Sequence, residues 1–61
     1  MKYFSINHKG EVYENACLYD NIDAMLYEFG NFFLTREEAE KNKKSVLDKY
    51  KETFKKMRNL K

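Results

Sequence analysis

No glycine or proline interrupts residues 36–60. A stretch of that length without a helix breaker constrains this chain more than any other feature, because only one element uses so many residues in a row. Its start is marked. Thr35 followed three residues later by Glu38 has the form of a capping box, in which the Thr hydroxyl accepts the N–H of Glu38 and the Glu carboxylate reaches back to the N–H of Thr35. Leu34 before the cap and Ala39 inside it suit a hydrophobic staple. Glu37, Glu38 and Glu40 favour the positive end of the helix dipole. Apolar residues then fall at Ala39, Val46, Leu47, Tyr50, Phe54, Met57 and Leu60, and the steps from Leu47 onward trace one stripe. The pattern predicts a single helix over residues 36–60, roughly 37 Å long at 1.5 Å per residue. Burying Leu47, Tyr50, Phe54 and Met57 would contribute on the order of 6–12 kcal/mol, at roughly 1.5–3 each. In water such a helix is marginal alone, so the stripe needs a cover. Two outcomes are open for it: the thirty-four residues before Thr35 fold back over most of the stripe and the last turn frays, or they fall short and the distal turns meet a second copy or another protein.

The front half reads as β structure followed by an ambiguous segment. Tyr3, Phe4 and Ile6 favour a strand, with Phe4 and Ile6 on one face. Asn7, His8, Lys9 and Gly10 form a turn, and Val12 and Tyr13 resume an extended pattern, so residues 2–14 read as a β-hairpin. A lone hairpin is weak in water and should pack on the long helix. Residues 15–20 connect, or extend the second strand through Ala16, Cys17, Leu18 and Tyr19. In residues 21–29, Ile22, Met25, Leu26 and Phe29 follow helical spacing, with Asp20 or Asn21 as cap and Gly30 as terminator. A third strand with Met25, Tyr27 and Phe29 on one face is the alternative. The expected fold class is α+β, one domain over residues 1–61: a small N-terminal β-hairpin, with three strands or a short middle helix, packed on a long C-terminal amphipathic helix.

Sixty-one residues bury only a modest core. Cys17 is the only cysteine, so no internal disulfide helps. With no secretory leader, a reducing cytosol is expected. No apolar run approaches the ~20 residues of a membrane span. Five Tyr and five Phe argue against a disordered chain. The net charge of +2 hides an asymmetry. Residues 1–40 carry three basic and eight acidic side chains, giving −5, and residues 41–61 carry nine basic and two acidic ones, giving +7. Such a split hints at an electrostatic partner, although acids near a helix start and bases near its end also suit the dipole.

The stretch Gly-Asn-Phe-Phe-Leu-Thr-Arg-Glu-Glu-Ala-Glu at residues 30–40 resembles a motif of small phage and prophage proteins of low-GC Gram-positive bacteria. Its pattern is Gly-Asn-x-Phe-x-Thr-x-Glu-Glu-Ala-Glu followed by a Lys-rich helix. The resemblance covers residues 22–45, with Asp23 and Tyr27 in its upstream segment; where that segment is expected to hold a basic residue, this chain has Met25 and Leu26. The resemblance implies a mobile-element setting, in which some carriers of the motif inhibit CRISPR nucleases, and it implies a strand upstream of the motif. Physically the motif reads as a structural device. Gly30 permits a sharp turn, Asn31 can bond its own backbone, Phe33 anchors in the core, and Thr35 with Glu38 starts the helix.

No constellation dictates a reaction. His8 sits in a turn without a partner base or pocket. Cys17 has Ala16 and Leu18 as neighbours and no activating cation. Asp20 and Asp23 with Glu14 or Glu28 offer oxygens for a divalent cation but lack a recognised spacing. Phosphate-cradling loops and zinc spacings are missing from the sequence. Neither an enzyme nor a cofactor or metal site is expected. Three binding surfaces remain. An acidic and aromatic face of Glu11, Tyr13, Glu14, Tyr19, Asp20, Asp23, Tyr27 and Glu28 would meet a protein with a basic channel. A basic face of Lys41, Lys44, Lys51, Lys55 and Arg58 would contact nucleic acid through phosphates. The stripe Leu47, Tyr50, Phe54 and Met57 would serve self-association.

Overall fold

The computed structural model describes residues 1–60. Strands β1 (Lys2–Ile6) and β2 (Val12–Ala16) are followed by helices α1 (Asn21–Phe29), α2 (Arg36–Lys41) and α3 (Lys43–Arg58). The architecture is α+β: an N-terminal antiparallel hairpin and a set of helices ending in a long one. β1 and β2 pair from Lys2↔Ala16 to Ile6↔Val12. Asn7 builds the turn between them, its side-chain oxygen accepting the N–H groups of Lys9 and Glu11 at 3.0 and 2.9 Å.

β1 is the centre of the molecule. Tyr3, Ser5 and Ile6 are all buried, so both faces of the strand are covered. Sequence alternation marks only the face of Phe4 and Ile6. On the other face Tyr3 stacks on Phe32, ring centroids 4.1 Å apart. The free edge of β1 is also occupied. Phe4 and Phe33 exchange backbone hydrogen bonds of 2.7 and 2.9 Å, one antiparallel bridge. Two residues earlier, the Asn31 side chain takes the place of a backbone. Its oxygen accepts the Ile6 N–H and its amide donates to the Ile6 carbonyl, both at 2.7 Å. Asn31 therefore bonds a strand 25 residues away rather than its own neighbours, and the Gly-Asn-x-Phe stretch is a two-point clamp on β1.

The middle segment is a helix, not a third strand. Asp20 caps it, accepting from the N–H groups of Ile22 and Asp23, while the Asp23 carboxylate reaches back to the Asp20 N–H, a reciprocal capping box. At the other end Gly30 adopts φ 84°. The N–H groups of Gly30 and Asn31 bond the carbonyls of Tyr27 and Leu26, the double closure that a left-handed residue permits.

The single rod expected over residues 36–60 is divided at Asn42, which has φ −99° and ψ 5° and ends α2 where α3 begins, and α3 itself stops at Arg58. The hydrogen-bond ladder is interrupted there: the last bond of α2 runs from Asn42 N–H to the Glu38 carbonyl and the first of α3 from Val46 N–H to the Asn42 carbonyl. The Asn42 side chain adds a second donor to the Glu38 carbonyl at 2.8 Å, the local competition with the helical backbone that makes Asn a poor interior residue. At the helix start Thr35 accepts the Glu38 N–H at 3.1 Å, and this is the half of the expected capping box that forms. Leu34 is exposed, so no staple closes over it.

The core is the cluster of Ile6, Ala39 and Val46, with Phe4, Val12, Phe29, Phe33 and Tyr50 packed on it. The stripe on α3 is covered only where the body lies beneath it. Val46 is buried and Leu47 and Tyr50 are half-buried, whereas Phe54, Met57 and Leu60 are progressively exposed.

Candidate partner-binding surface

Only one residue of α1 is buried, and it is the acid Asp23. One of its carboxylate oxygens accepts the Tyr3 hydroxyl at 2.5 Å. The other accepts the N–H groups of Leu18 and Asp20 at 2.8 and 3.2 Å. With 8% of its surface exposed and both oxygens engaged, Asp23 has no place on a presented acidic face. The Tyr3 hydrogen bond, outweighing the cost of burial, holds its carboxyl below the ordinary range. Burial first, then the Asp23 carboxylate, pushes the Tyr3 phenol up to about 12.

The same carboxylate shapes the surface. It gathers the amides on either side of Tyr19, and Tyr19 itself lies at φ 56°, a left-handed conformation that is uncommon for a bulky residue. Its ring is thrown outward.

Around α1 this leaves apolar side chains in water: Leu18 is 72% exposed, Tyr19 83%, Ile22 65%, Met25 69% and Tyr27 66%. Periodicity placed Ile22 and Met25 in the buried stripe of α1, but of that stripe only Leu26 and Phe29 are partly covered. Between α1 and the open end of the hairpin runs a groove of about 420 Å³, lined by Met1, Cys17, Tyr19, Ala24, Tyr27 and Phe32 together with Asp20 and Asp23. The walls are apolar almost throughout. Phe32 forms one side by stacking on Tyr3 and standing edge-on to Tyr27 at 5.5 Å. Apolar area gathered in a concave site is the usual form of a docking surface.

The structure does not bring the eight acidic and aromatic residues together. Tyr19, Asp20, Tyr27 and Glu28 surround α1. Glu11 and Tyr13 stand at the hairpin turn, both hydrogen-bonded by the Asn7 side chain, and Glu14 is ion-paired with Lys2 on the strands. Of the basic residues, Lys41 pairs with Glu37. Lys44, Lys51, Lys55 and Arg58 are exposed on α3 and make no ion pair among the described residues. Lys49, which sequence spacing did not single out, donates to the Phe29 carbonyl at 3.0 Å and ties α3 to the end of α1.

The stripe assigned to self-association is half consumed within the molecule. Tyr50 receives the Asn31 amide and donates to the Ile6 carbonyl, and Leu47 lies over Gly10 at the hairpin turn. The rings of Phe54 and His8 stand edge to face with centroids 6.1 Å apart, and both side chains remain exposed. Cys17 is half-buried and lines the groove. Among the described residues no three His, Cys, Asp or Glu side chains are placed to hold a metal ion, and no helix is long and apolar enough to cross a membrane.

Comparisons with protein-family models, with curated proteins and with solved structures return no match.

Proposed function

We propose that this chain is a non-enzymatic protein-binding module, and that the face built around α1 is its binding surface. The observation that carries this is the run of exposed apolar side chains from Leu18 to Tyr27 beside an apolar groove. A chain this small has little apolar surface to spare, and water-facing Ile22, Met25 and Tyr27 are of more use to a partner than to the fold. Asp20 and Glu28 flank this face with negative charge, so a partner with a basic surface suits it. The likeness of residues 22–45 to small phage and prophage proteins supports a concrete form: an inhibitor of a host defence nuclease of the CRISPR type, working in the bacterial cytoplasm by occupying a surface. A binding assay with the nuclease of the natural host, paired with a cleavage assay, tests it. A complex and lost cleavage, both abolished by Met25→Asp, are the expected results. No complex and undiminished cleavage would remove the nuclease as target.

A second function rests on Lys44, Lys51, Lys55 and Arg58, which share an unpaired exposed side of α3. Nucleic-acid contact there would be made through phosphates and would fall steeply with salt. Mobility shifts over a salt series separate the two: steep loss supports nucleic acid, and indifference to DNA and RNA supports protein binding.

A further inference from the structure

The distal end of α3 and the groove beside α1 are complementary, and they cannot meet within one molecule. α3 is anchored at the turn end of the hairpin, through Leu47 over Gly10, Tyr50 on Ile6 and Phe54 against His8. The groove lies at the hairpin's open end, where Met1 and Cys17 line it. The five residues of β1 separate the two ends, roughly 16 Å at strand rise. Past Phe54 the helix runs into solvent, carrying exposed Met57 among exposed Lys55, Lys56 and Arg58, with exposed Leu60 in the turn just beyond its end. It is a short basic arm with an apolar edge. The groove is its counterpart, apolar over most of its wall, with exposed Asp20 among its lining residues. Glu28, one helical turn beyond the groove residue Ala24, adds a second exposed carboxylate. The two halves of the chain repeat the match at larger scale, −5 over residues 1–40 and +7 over residues 41–61.

We propose that the last turns of α3 dock in the groove of a second copy of this chain, Met57 and Leu60 entering among Tyr19, Tyr27 and Phe32 while the arm's cations face Asp20 and Glu28. The contact joins two different patches, so each copy offers one arm and one groove. It differs from pairing through the Leu47 and Tyr50 stripe, whose side chains are engaged within the monomer. It also stands apart from the partner assigned above, because both molecules are this chain. The groove cannot hold a second copy and a foreign protein at once, so a target meets the monomer.

Sedimentation from micromolar to millimolar concentration should show a weight-average mass rising from the monomer's 7.4 kDa towards at least double, and rising less at high salt. Ala24→Arg fills the groove with a cation and Met57→Glu puts an acid on the arm. Both positions are exposed on helices, and each variant alone should stay monomeric with unchanged circular dichroism. Mixing them is decisive, because the first keeps a sound arm and the second a sound groove. Isotope-labelled Met57→Glu titrated with unlabelled Ala24→Arg should show saturable amide shifts around Ala24, Tyr27 and Phe32. Labelled Met57→Glu titrated with its own unlabelled form should show none. If Met57→Glu is poorly folded, Leu60→Glu serves as the arm variant. A wild type that stays at the monomer mass throughout overturns the proposal. So does association that survives either substitution, or a mixture with no shifts in the groove.

Discussion

The two sides of α1 are built on opposite terms. Towards β1, the helix and the loop after it bury polar groups: the Asp23 carboxylate under Tyr3, and the Asn31 amide on Ile6 and Tyr50. No buried side-chain nitrogen or oxygen among the described residues lacks a partner. Towards solvent, the helix carries Ile22, Met25 and Tyr27 with nothing over them. An amphipathic helix ordinarily turns its whole apolar stripe inward, whereas α1 turns in only Leu26 and Phe29 beside Asp23. The lesson is one of division of labour in a small chain. Fully satisfied polar clamps supply specificity that a core of Ile6, Ala39 and Val46 is too small to supply alone, and the apolar residues so released are available for contact with other molecules.

The inner side should break hardest. Asn31→Ala takes the acceptor from the Ile6 N–H, leaves the Ile6 carbonyl with the Tyr50 hydroxyl alone, and opens a cavity beside Tyr50. A loss of about 2–4 kcal/mol is expected, enough to bring a domain of this size near its unfolding threshold, as urea denaturation would show. Tyr3→Phe should cost less, about 1–2 kcal/mol, and it carries a pH signature. Because Asp23 titrates lower in the folded chain than in the unfolded one, its stabilisation is present above the ordinary carboxyl pKa of about 4. It is lost as pH falls through the depressed value. Without the Tyr3 hydroxyl that depression shrinks, so acid unfolding should begin at higher pH in Tyr3→Phe. Tyr3 works in the opposite sense. Its stabilisation is complete below the ordinary phenol pKa of about 10 and drains away as pH rises towards about 12. The wild type should therefore weaken in strong alkali and Tyr3→Phe should lack that component.

Gly30→Ala probes the hinge between the two sides. A Cβ there would sit at φ 84° and collide with the Lys49 ammonium. The lysine end can move, so the expected cost is mainly conformational, about 1 kcal/mol in thermal unfolding. The outer side should barely register in stability. Met25→Gln is expected to change unfolding free energy by no more than about 0.5 kcal/mol while weakening whatever partner binds α1. Large destabilisation from Met25→Gln would mean that the outer side is not free, and the contrast would fail.

How much of this was legible in the sequence follows the range of the forces involved. The hairpin was, because Gly10 and the Tyr, Phe, Ile and Val pattern act over a few residues. That residues 21–29 prefer a helix was too, from Asp20, Gly30 and the apolar spacing. Which way the helix faces was not. Periodicity locates an apolar side but assumes that it turns inward, and here Asp23 is drawn in by Tyr3, twenty residues away. Asn31 is the sharper case, since its partner Ile6 is 25 residues distant and nothing local distinguishes it from a turn asparagine. The break at Asn42 escaped because an asparagine is only a mild helix breaker, and no Gly or Pro stands there to mark it. Of the surfaces, Tyr19, Tyr27 and the α3 cations were foreseen as exposed. The groove was not, because Met1, Cys17 and Phe32 converge only once the hairpin and α1 are in place.

Solvent paramagnetic relaxation enhancement, measured on dilute wild-type protein with a neutral soluble probe, tests the orientation of α1 most directly. Strong enhancement is expected at the Ile22 and Met25 methyls and weak enhancement at the Asp23 β-protons, with Ile6 and Val46 as buried references. Ile22 and Met25 as protected as Ile6, together with an accessible Asp23, would contradict that orientation.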